Sequence, residues 1–342
     1  MRILGIESSC DETACSVVVD GRRVLSSVIA TQDELHERFG GVVPEVAARR
    51  HLETMLPVMR EALEGAGVAL DEIDAIATVN QPGLIGSLLV GLTAAKTLAA
   101  IHHKPLVALN HLHCHLYADC LYDGDEAEAG EPVAFPFVGM VVSGGHTSLM
   151  RVRAWDDIEP LGGTIDDAAG EAFDKVAQIL ELGYPGGPAI DRAARTGDPM
   201  AFKFPRSLLG DDSLDFSFSG LKTAVLYTVR GHGRREGLGE LTDKLKADLA
   251  ASFQEAVVDV LAGKALKALE TTGIRELAMG GGVIANGRLR EVLEAEAADR
   301  GVRLHIPERR YCTDNAAMVA GLGYHYARAE RFTPIGVDAV PT

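Results

Sequence analysis

The chain has 342 residues, 47% of them hydrophobic, with 33 lysines and arginines against 49 aspartates and glutamates, for a formal net charge of −16. This length predicts about two domains, and the acidic balance argues against broad, non-specific nucleic-acid binding, which needs clustered cations. The sequence has no apolar run of ~20 residues, no signal-peptide pattern and no CxxC pair among its five cysteines, so we expect a soluble, cytoplasmic protein with free thiols.

Two segments of similar design predict a duplicated α/β architecture. Each has apolar strands around a polar turn, which spans residues 7–13 in the first segment and 143–146 in the second. The strands predicted in the two segments are 2–6, 14–19, 24–29, 137–142 and 147–152.

Helical periodicity follows each of these segments. Helices are predicted over 43–66, 85–103, 166–182, 188–196, 217–230, 241–271 and 287–300, and further strands over 75–79, 106–109, 276–279 and 302–306. This alternation favours mixed or parallel sheets covered by helices. The acidic stretch 123–132 is the predicted inter-domain linker, and the polar tract 231–239 is a predicted surface loop.

The segment Asn110-His111-Leu112-His113-Cys114-His115 follows one predicted strand. Its spacing places His111 and His115 on one face of a helix, where the two imidazoles could bind a divalent metal. Two histidines do not make a site, and such pairs are more often structural or solvated. Asp314, just before the last helix, is either an N-cap or a metal ligand, and the residues alone favour the cap.

Three turns carry further candidate chemistry. The glycines of Ser143-Gly144-Gly145-His146 would let backbone amides approach an anion, although a hairpin turn needs glycine anyway. Residues 280–286 fit G-x-G-x-x-A between a strand and a helix, which indicates either a nucleotide loop or a plain tight turn. The first turn carries Glu7, Asp11 and Glu12, which suit a metal, hydroxyl or amine better than a phosphate.

Taken together, these motifs resemble the TsaD family of tRNA threonylcarbamoyladenosine synthesis proteins over nearly the whole chain. The motifs are Gly5-Ile6-Glu7-Ser8-Ser9-Cys10-Asp11-Glu12-Thr13, Asn110-His111, Val142-Ser143-Gly144-Gly145-His146-Thr147, Asp166-Asp167-Ala168-Ala169-Gly170-Glu171-Ala172-Phe173-Asp174-Lys175, Tyr184-Pro185-Gly186-Gly187-Pro188, Gly281-Gly282-Val283 and Cys312-Thr313-Asp314-Asn315.

The resemblance implies the two-domain α/β fold of actin, Hsp70 and sugar kinases, with duplicated ribonuclease H-like domains and a nucleotide cleft between them. The first domain would cover 1–122, completed by a C-terminal helix near 313–330, and the second would cover 133–312.

The implied activity is transfer of threonylcarbamoyl from threonylcarbamoyl-AMP to the exocyclic amine of an adenosine beside the anticodon, in tRNAs that read codons beginning with adenine. The implied partners are tRNA, an inactive paralogue (TsaB-like) and a small ATPase (TsaE-like).

Site residues also carry over. The implied metal ligands are His111, His115 and Asp314, with iron(II) favoured and zinc the alternative; His113 occupies a variable position. The implied substrate-binding residues are Val141, Val142, Ser143, Gly144, Gly145, Asp174, Gly187, Asp191 and Asn286. We hypothesise that Asp11 or Glu12 orients or deprotonates the attacking amine, and that His146 assists at the carbonyl or phosphate.

Three alternatives remain at this stage. A metalloprotease would need His-Glu-x-x-His, but Leu112 stands in the place of that glutamate. An ATP-dependent kinase or ATPase of the same fold would turn over ATP with a small acceptor and without tRNA. A non-catalytic assembly subunit would suit the acidic surface.

Overall fold

The computed structural model describes residues 1–124, 130–210, 212–233 and 235–341. The chain divides into two units, one formed by Met1–Val133 with Pro307–Thr342 and the other by Ala134–Ile306. Half of the predicted linker, residues 125–129, lies outside the described residues.

The strands and helices follow one another in an alternating pattern. The strands are β1 (Arg2–Glu7), β2 (Thr13–Val19), β3 (Arg23–Ala30), β4 (Ala75–Gln81), β5 (Leu106–Asn110), β6 (Phe137–Val142), β7 (Thr147–Ala154), β8 (Asp157–Gly163), β9 (Gly231–His232), β10 (Arg235–Glu236), β11 (Glu276–Gly280) and β12 (Arg303–His305). The helices are α1 (Asp33–Glu37), α2 (Pro44–Ala66), α3 (Ile85–Ile101), α4 (His111–Tyr117), α5 (Ala169–Ile179), α6 (Gly186–Ala194), α7 (Ser219–Arg230), α8 (Asp243–Thr272), α9 (Gly287–Arg300) and α10 (Ala316–Arg328).

The two units contain sheets of the same topology. In the first unit the order is β3-β2-β1-β4-β5, with antiparallel pairing along β1, β2 and β3 and parallel pairing along β1, β4 and β5. In the second unit β8-β7-β6-β11-β12 repeats that order and those directions. The predicted duplication is therefore confirmed at the level of sheet topology.

Helices cover both faces of β1 in the first unit. Leu4 and Ile6 pack with residues of α2 and α3, as expected for a central strand buried on both sides. On the other face Gly5 lets α10 lie close, because a Cβ there would stand 2.2 Å from the carbonyl oxygen of Ala316. This close contact brings the segment just before α10 to the end of β1.

The second unit is built around α8, a long helix rich in alanine and buried along most of its length. It packs against α6, α7 and α9, and Phe253 meets Phe173 of α5 edge-on with 5.2 Å between ring centroids. Thr242 caps α8 by accepting a hydrogen bond from the backbone N–H of Leu245.

Most predicted elements are confirmed, with differences that have local causes. Helix α5 begins at Ala169 rather than at residue 166, because Asp166 accepts hydrogen bonds from residues around the start of α7 (Ser217 and Ser219 side chains, Phe218 backbone). The sequence did not predict β8, whose residues are half-buried or exposed and lack alternation. The predicted loop 231–239 instead contains the short antiparallel pair of β9 and β10.

Candidate functional site

The histidine pair lies where β5 ends and α4 begins. Asn110 ends the strand and caps the helix, since its side-chain oxygen accepts from the backbone N–H of Leu112 at 2.8 Å. His111 and His115 then project from consecutive turns, with 4.6 Å between ring centroids and the rings nearly perpendicular. His115 is fully buried and His111 is 5% exposed, so the pair is not a solvated one.

Asp314 completes a three-residue cluster with this pair. Its Oδ1 lies 3.0 Å from Nε2 of His115 and 3.4 Å from Nε2 of His111. The cap of α10 is Asn315, which accepts from the backbone N–H of Met318, so the N-cap alternative for Asp314 is wrong. All three donor atoms lie within 4.8 Å of one another.

Glu7 and Ser9 contact His111 at Nδ1, the ring nitrogen that does not face Asp314. The fully buried Glu7 carboxylate lies 3.1 Å from Nδ1 of His111 and accepts the backbone N–H of Ser9 at 2.6 Å. The Ser9 hydroxyl also lies 3.2 Å from that Nδ1. A carboxylate on the second ring nitrogen is typical of a metal-ligating histidine, because it fixes the tautomer with Nε2 free to bind.

Charges around the cluster favour an ionised carboxylate. Burial alone would raise the pKa of Asp314, but the charge of His111 and the hydrogen bonds from both histidines hold it well below its usual range. Burial lowers the pKa of His115; at His111 the same effect of burial is outweighed by the charges of Asp314 and Glu7, which raise its pKa, so a metal would have to displace a proton there. A neutral imidazole and a carboxylate are the forms that bind metal.

This donor set fits a divalent metal. Two imidazole nitrogens and one carboxylate oxygen converge, and His111 is oriented through its other nitrogen. Nδ1 of His115 is buried without a hydrogen-bond partner among the described residues. The orientation of the His115 ring is therefore less constrained than that of His111, whose Nδ1 contacts Glu7. His113 takes no part in the cluster, and burial lowers its pKa to about 4.

A second group of carboxylates lies in the same unit. Oxygens of Asp11, Glu12 and Asp33 lie within 4.8 Å of one another. Burial, then the charges of Asp11 and Asp314, raise the pKa of Glu12 well above its usual value, and Glu12 also shares a hydrogen bond with Asp11. The raised pKa favours the protonated form of Glu12, beside Asp11.

His51 of α2 holds the loop that carries this pair. It is fully buried, and its Nε2 lies 3.0 Å from the carbonyl oxygen of Cys10 while its Nδ1 lies 2.7 Å from the Thr13 hydroxyl. A carbonyl only accepts, so Nε2 carries the proton and Thr13 donates to Nδ1. This neutral histidine thus fixes both ends of the segment that contains Asp11 and Glu12.

The second unit presents a different loop at the equivalent position, between β6 and β7. Ser143 and His146 close the turn, with the Ser143 N–H donating to the His146 carbonyl at 2.8 Å. A Cβ added to Gly144 or Gly145 would have no neighbour within 4 Å, so neither glycine is needed for packing. Gly281 is needed, because its φ is +95° and a Cβ would stand 2.3 Å from the carbonyl oxygen of Val142.

The other substrate-binding residues predicted for this unit take part in local hydrogen bonds. Asp174 accepts from the backbone N–H of Gly186 at 2.7 Å, next to Gly187, which has open space where a side chain would lie. Asp191 accepts from the N–H of Gly287 at 3.3 Å.

The side chain of Asn286 also takes part in local hydrogen bonds. It caps α9 by accepting from the N–H of Leu289 and donates to Gln254 at 2.7 Å. Val141 and Val142 are buried strand residues, so they have only backbone to offer a ligand. Hydrogen bonds thus tie the N-terminal ends of α6 and α9 to the carboxylates of Asp174 and Asp191.

Comparison with known proteins decides the family. The pattern that defines TsaD, tRNA N6-adenosine threonylcarbamoyltransferase, matches residues 23–321. A curated relative of that name from Symbiobacterium thermophilum is 53% identical over 339 residues, covering 99% of this chain and 95% of the relative. The chain belongs to the TsaD family. A second relative of this name, from Syntrophobacter fumaroxidans, is 53% identical over 341 residues, covering 99% of this chain and 98% of the relative.

The predicted transferase is thereby confirmed over the protease, kinase and assembly-subunit alternatives: this TsaD-family protein is an enzyme that modifies tRNA by threonylcarbamoyl transfer. Component A of (R)-2-hydroxyglutaryl-CoA dehydratase from Acidaminococcus fermentans superposes with a TM-score of 0.51, covering 96% of this chain and 99% of that one at 17% identity. This likeness concerns the fold alone and agrees with the predicted actin-like architecture. Among the described residues, no helix is long and apolar enough to cross a membrane.

The sequence did not predict three of the residues that shape this site. Glu7 is one of the three carboxylates noted in the first turn but has no role of its own in the predicted site, yet it ends the buried strand β1 and supports His111. Ser9 and His51 were not assigned any role. A signal was present for Glu7 alone, as a carboxylate that directly follows an apolar strand.

Proposed function

We propose that this TsaD-family enzyme divides its chemistry between its two units. The first unit, with His111, His115 and Asp314, holds the divalent metal and carries the acid–base pair. The second unit, with the loop around Gly144 and Gly145, binds the adenylate part of threonylcarbamoyl-AMP. The observation that carries this proposal is the buried three-residue cluster with a carboxylate behind His111.

The exocyclic amine of adenosine is a poor nucleophile, since its lone pair is delocalised into the purine. A bound metal would polarise the acyl carbonyl and neutralise charge on the departing AMP. The amine nitrogen forms a bond to the acyl carbon, the bond from that carbon to the phosphate oxygen breaks, and the amine loses a proton.

Asp11 and Glu12 are proposed to take that proton. Because burial and neighbouring carboxylates raise the pKa of Glu12, the pair holds one proton and offers one carboxylate oxygen as the acceptor. Asp11 is 9% exposed, so its carboxylate is largely shielded from bulk water. His51 keeps their loop in place through Cys10 and Thr13.

In the second unit, open backbone at Gly144, Gly145 and Gly187 supports the proposed contact with adenylate, because amides without a neighbouring side chain can approach phosphate closely. Asp191 and Asn286 are proposed to keep the start of α9 in place around the ligand. His146 is proposed to donate a hydrogen bond to the phosphate or the acyl carbonyl.

We propose iron(II) as the metal, with zinc as the alternative, since two imidazoles and one carboxylate suit both. Metal analysis of protein purified without oxygen distinguishes them: iron near one equivalent supports the proposal, and zinc at that level with no iron contradicts it.

The proposed partners are an inactive TsaB-like paralogue and a small TsaE-like ATPase. Leu52 and Leu56 of α2 are each 68% exposed and one turn apart, and Ile85 and Leu89 of α3 repeat that arrangement, which supports a helical contact with the paralogue. Co-elution with each protein on size exclusion tests the assignment. The cytoplasm is the proposed location, and five free cysteines support a reducing compartment.

The experiment that tests the proposed function is transfer of labelled threonylcarbamoyl from threonylcarbamoyl-AMP to tRNA that lacks the modification. The wild-type enzyme transfers label, His111→Ala loses bound metal and at least about 100-fold of the rate, and His113→Ala on the same helix retains both. Equal rates in all three would contradict the metal assignment.

A further inference from the structure

A groove in the first unit lies between α1 and the N-terminal half of α2. It encloses about 710 Å³. The residues that line it are Thr31, Gln32, Glu34, Leu35, Arg38, Val46, Arg49, Arg50 and Glu53. The α2 residues recur at spacings of three and four, so they form one face of that helix, and no residue of the groove belongs to the metal cluster.

Three arginines line this groove in a protein whose net charge is −16. Arg50 pairs with Glu53 at 3.0 Å. Arg38 and Arg49 are exposed and form no ion pair with any carboxylate among the described residues. Nε of Arg38 donates to the carbonyl of Leu35 at 3.3 Å, which leaves its two terminal nitrogens, and the guanidinium of Arg49, for an external anion. Guanidinium is the side chain that binds phosphate with two parallel hydrogen bonds.

An aromatic ring lies beside the cations. Phe39, which follows Arg38, is 54% exposed, and the Arg38 guanidinium lies 5.5 Å from the centre of its ring. An exposed ring next to an arginine offers a stacking surface for an unpaired base, a combination typical of single-stranded RNA recognition.

The groove is attached to the segment that carries the acid–base pair. Gln32 donates to the carbonyl of Ala47 at 3.4 Å and also contacts His36, which ties α1 to α2. Asp33, next to Gln32, lies with its carboxylate within 4.8 Å of those of Asp11 and Glu12. One end of the groove therefore lies beside the proposed proton acceptor.

We infer that this groove binds the phosphate backbone of the tRNA anticodon loop next to the reacting adenosine, with Arg38 and Arg49 each contacting a phosphate and Phe39 stacking on an unpaired base. This inference rests on the proposed function, which places the reacting amine at Asp11 and Glu12. The glutamates Glu34 and Glu53 limit the positive charge, so the groove suits a few defined phosphates rather than long tracts of RNA. An anionic substrate in this position also explains how an acidic enzyme holds tRNA without a general basic surface.

The test is binding of unmodified tRNA to the full-length enzyme at several salt concentrations. Each of Arg38→Ala and Arg49→Ala is expected to lower the slope of log affinity against log salt by about 0.7, and the double charge reversal Arg38→Glu/Arg49→Glu to weaken binding at least about tenfold. The matched control is Arg60→Glu, another exposed arginine on α2 outside the groove, which is expected to bind tRNA like the wild type.

Transfer assays separate this inference from the proposed function. The double variant is expected to raise the KM for tRNA with kcat within about twofold, and to keep its metal and its affinity for AMP. Failure of the wild type to transfer label would contradict the proposed function, whereas tRNA binding would still report on the groove. The inference would be overturned if the double variant bound tRNA with unchanged affinity, or if Arg60→Glu lost as much tRNA affinity as the double variant. It would also be overturned if the double variant lost binding of the TsaE-like ATPase while its tRNA affinity stayed intact.

Discussion

The loop between β1 and β2 and the loop between β6 and β7 occupy the same place in two sheets of identical topology, yet they carry opposite chemistry. The first holds carboxylates and no glycine, and Glu7 at its start supports His111. The second has Gly144 and Gly145 with open space around them. The first suits proton transfer and support of a metal-ligating histidine, and the second suits contact between backbone and phosphate.

This difference shows that the two units of a duplicated fold acquire different functions through the residues of their loops. The strand pairing requires only apolar residues, which both units supply, so the loops are free to differ. Variants in the two loops should therefore have separable effects on metal, proton transfer and adenylate binding.

The largest expected effect in the first loop is that of Asp11→Ala. Transfer should fall by about 10²- to 10⁴-fold, the range for loss of a general acid or base, while AMP binding stays near the wild-type value. Labelled transfer and calorimetric titration with AMP measure the two quantities. A fully active variant would remove the proposed role of Asp11.

The matching variant in the second loop is Gly145→Val. Because a Cβ there has no neighbour within 4 Å, the melting temperature should not change, whereas a displaced adenylate should cost about 100-fold in transfer. AMP affinity and thermal melting are the measurements. Wild-type AMP affinity would separate this loop from adenylate binding.

Gly281→Ala serves as the control for that glycine. Its Cβ would collide with the Val142 carbonyl, so this variant should lose about 1–3 kcal/mol of unfolding free energy.

Glu7→Gln tests the support behind His111. The amide keeps the shape but loses the charge that orients the imidazole, so metal affinity should fall by about 10- to 100-fold. Competition with a chelator measures this change. Ser16→Ala is the control, since its buried hydroxyl on β2 bonds only Ser27 among the described residues, and it should retain metal.

The smallest expected effect is a pH-dependent one at Glu12. Burial and neighbouring carboxylates raise its pKa, so the folded state binds more protons than the unfolded state, and stability falls as pH rises above the unfolded pKa. Glu12→Gln removes this cost. Its melting temperature should exceed that of the wild type at about pH 8 and by less at about pH 5; a difference that grows toward acid would contradict the shared-proton assignment.

Local patterns predicted most of the fold and two of the three residues in the His111, His115 and Asp314 cluster. The i, i+4 spacing of His111 and His115 needs only one helix, so the sequence shows it directly. Asp314 lies 199 residues from His115 and was assigned through the family resemblance, since by itself it also fitted an N-cap. Glu7 and His51 act through tertiary contacts, Glu7 with His111 at the start of α4 and His51 with the backbone of Cys10 and the hydroxyl of Thr13, which periodicity does not encode.

The central claim is that metal and adenylate are bound by different units. Its most direct test is a measurement of bound metal and AMP affinity on the same preparations of His111→Ala and Gly145→Val. We predict that His111→Ala loses the metal but binds AMP like the wild type, and that Gly145→Val keeps the metal but loses AMP affinity. Loss of both properties in either variant, with both proteins folded, would contradict the division between the two units.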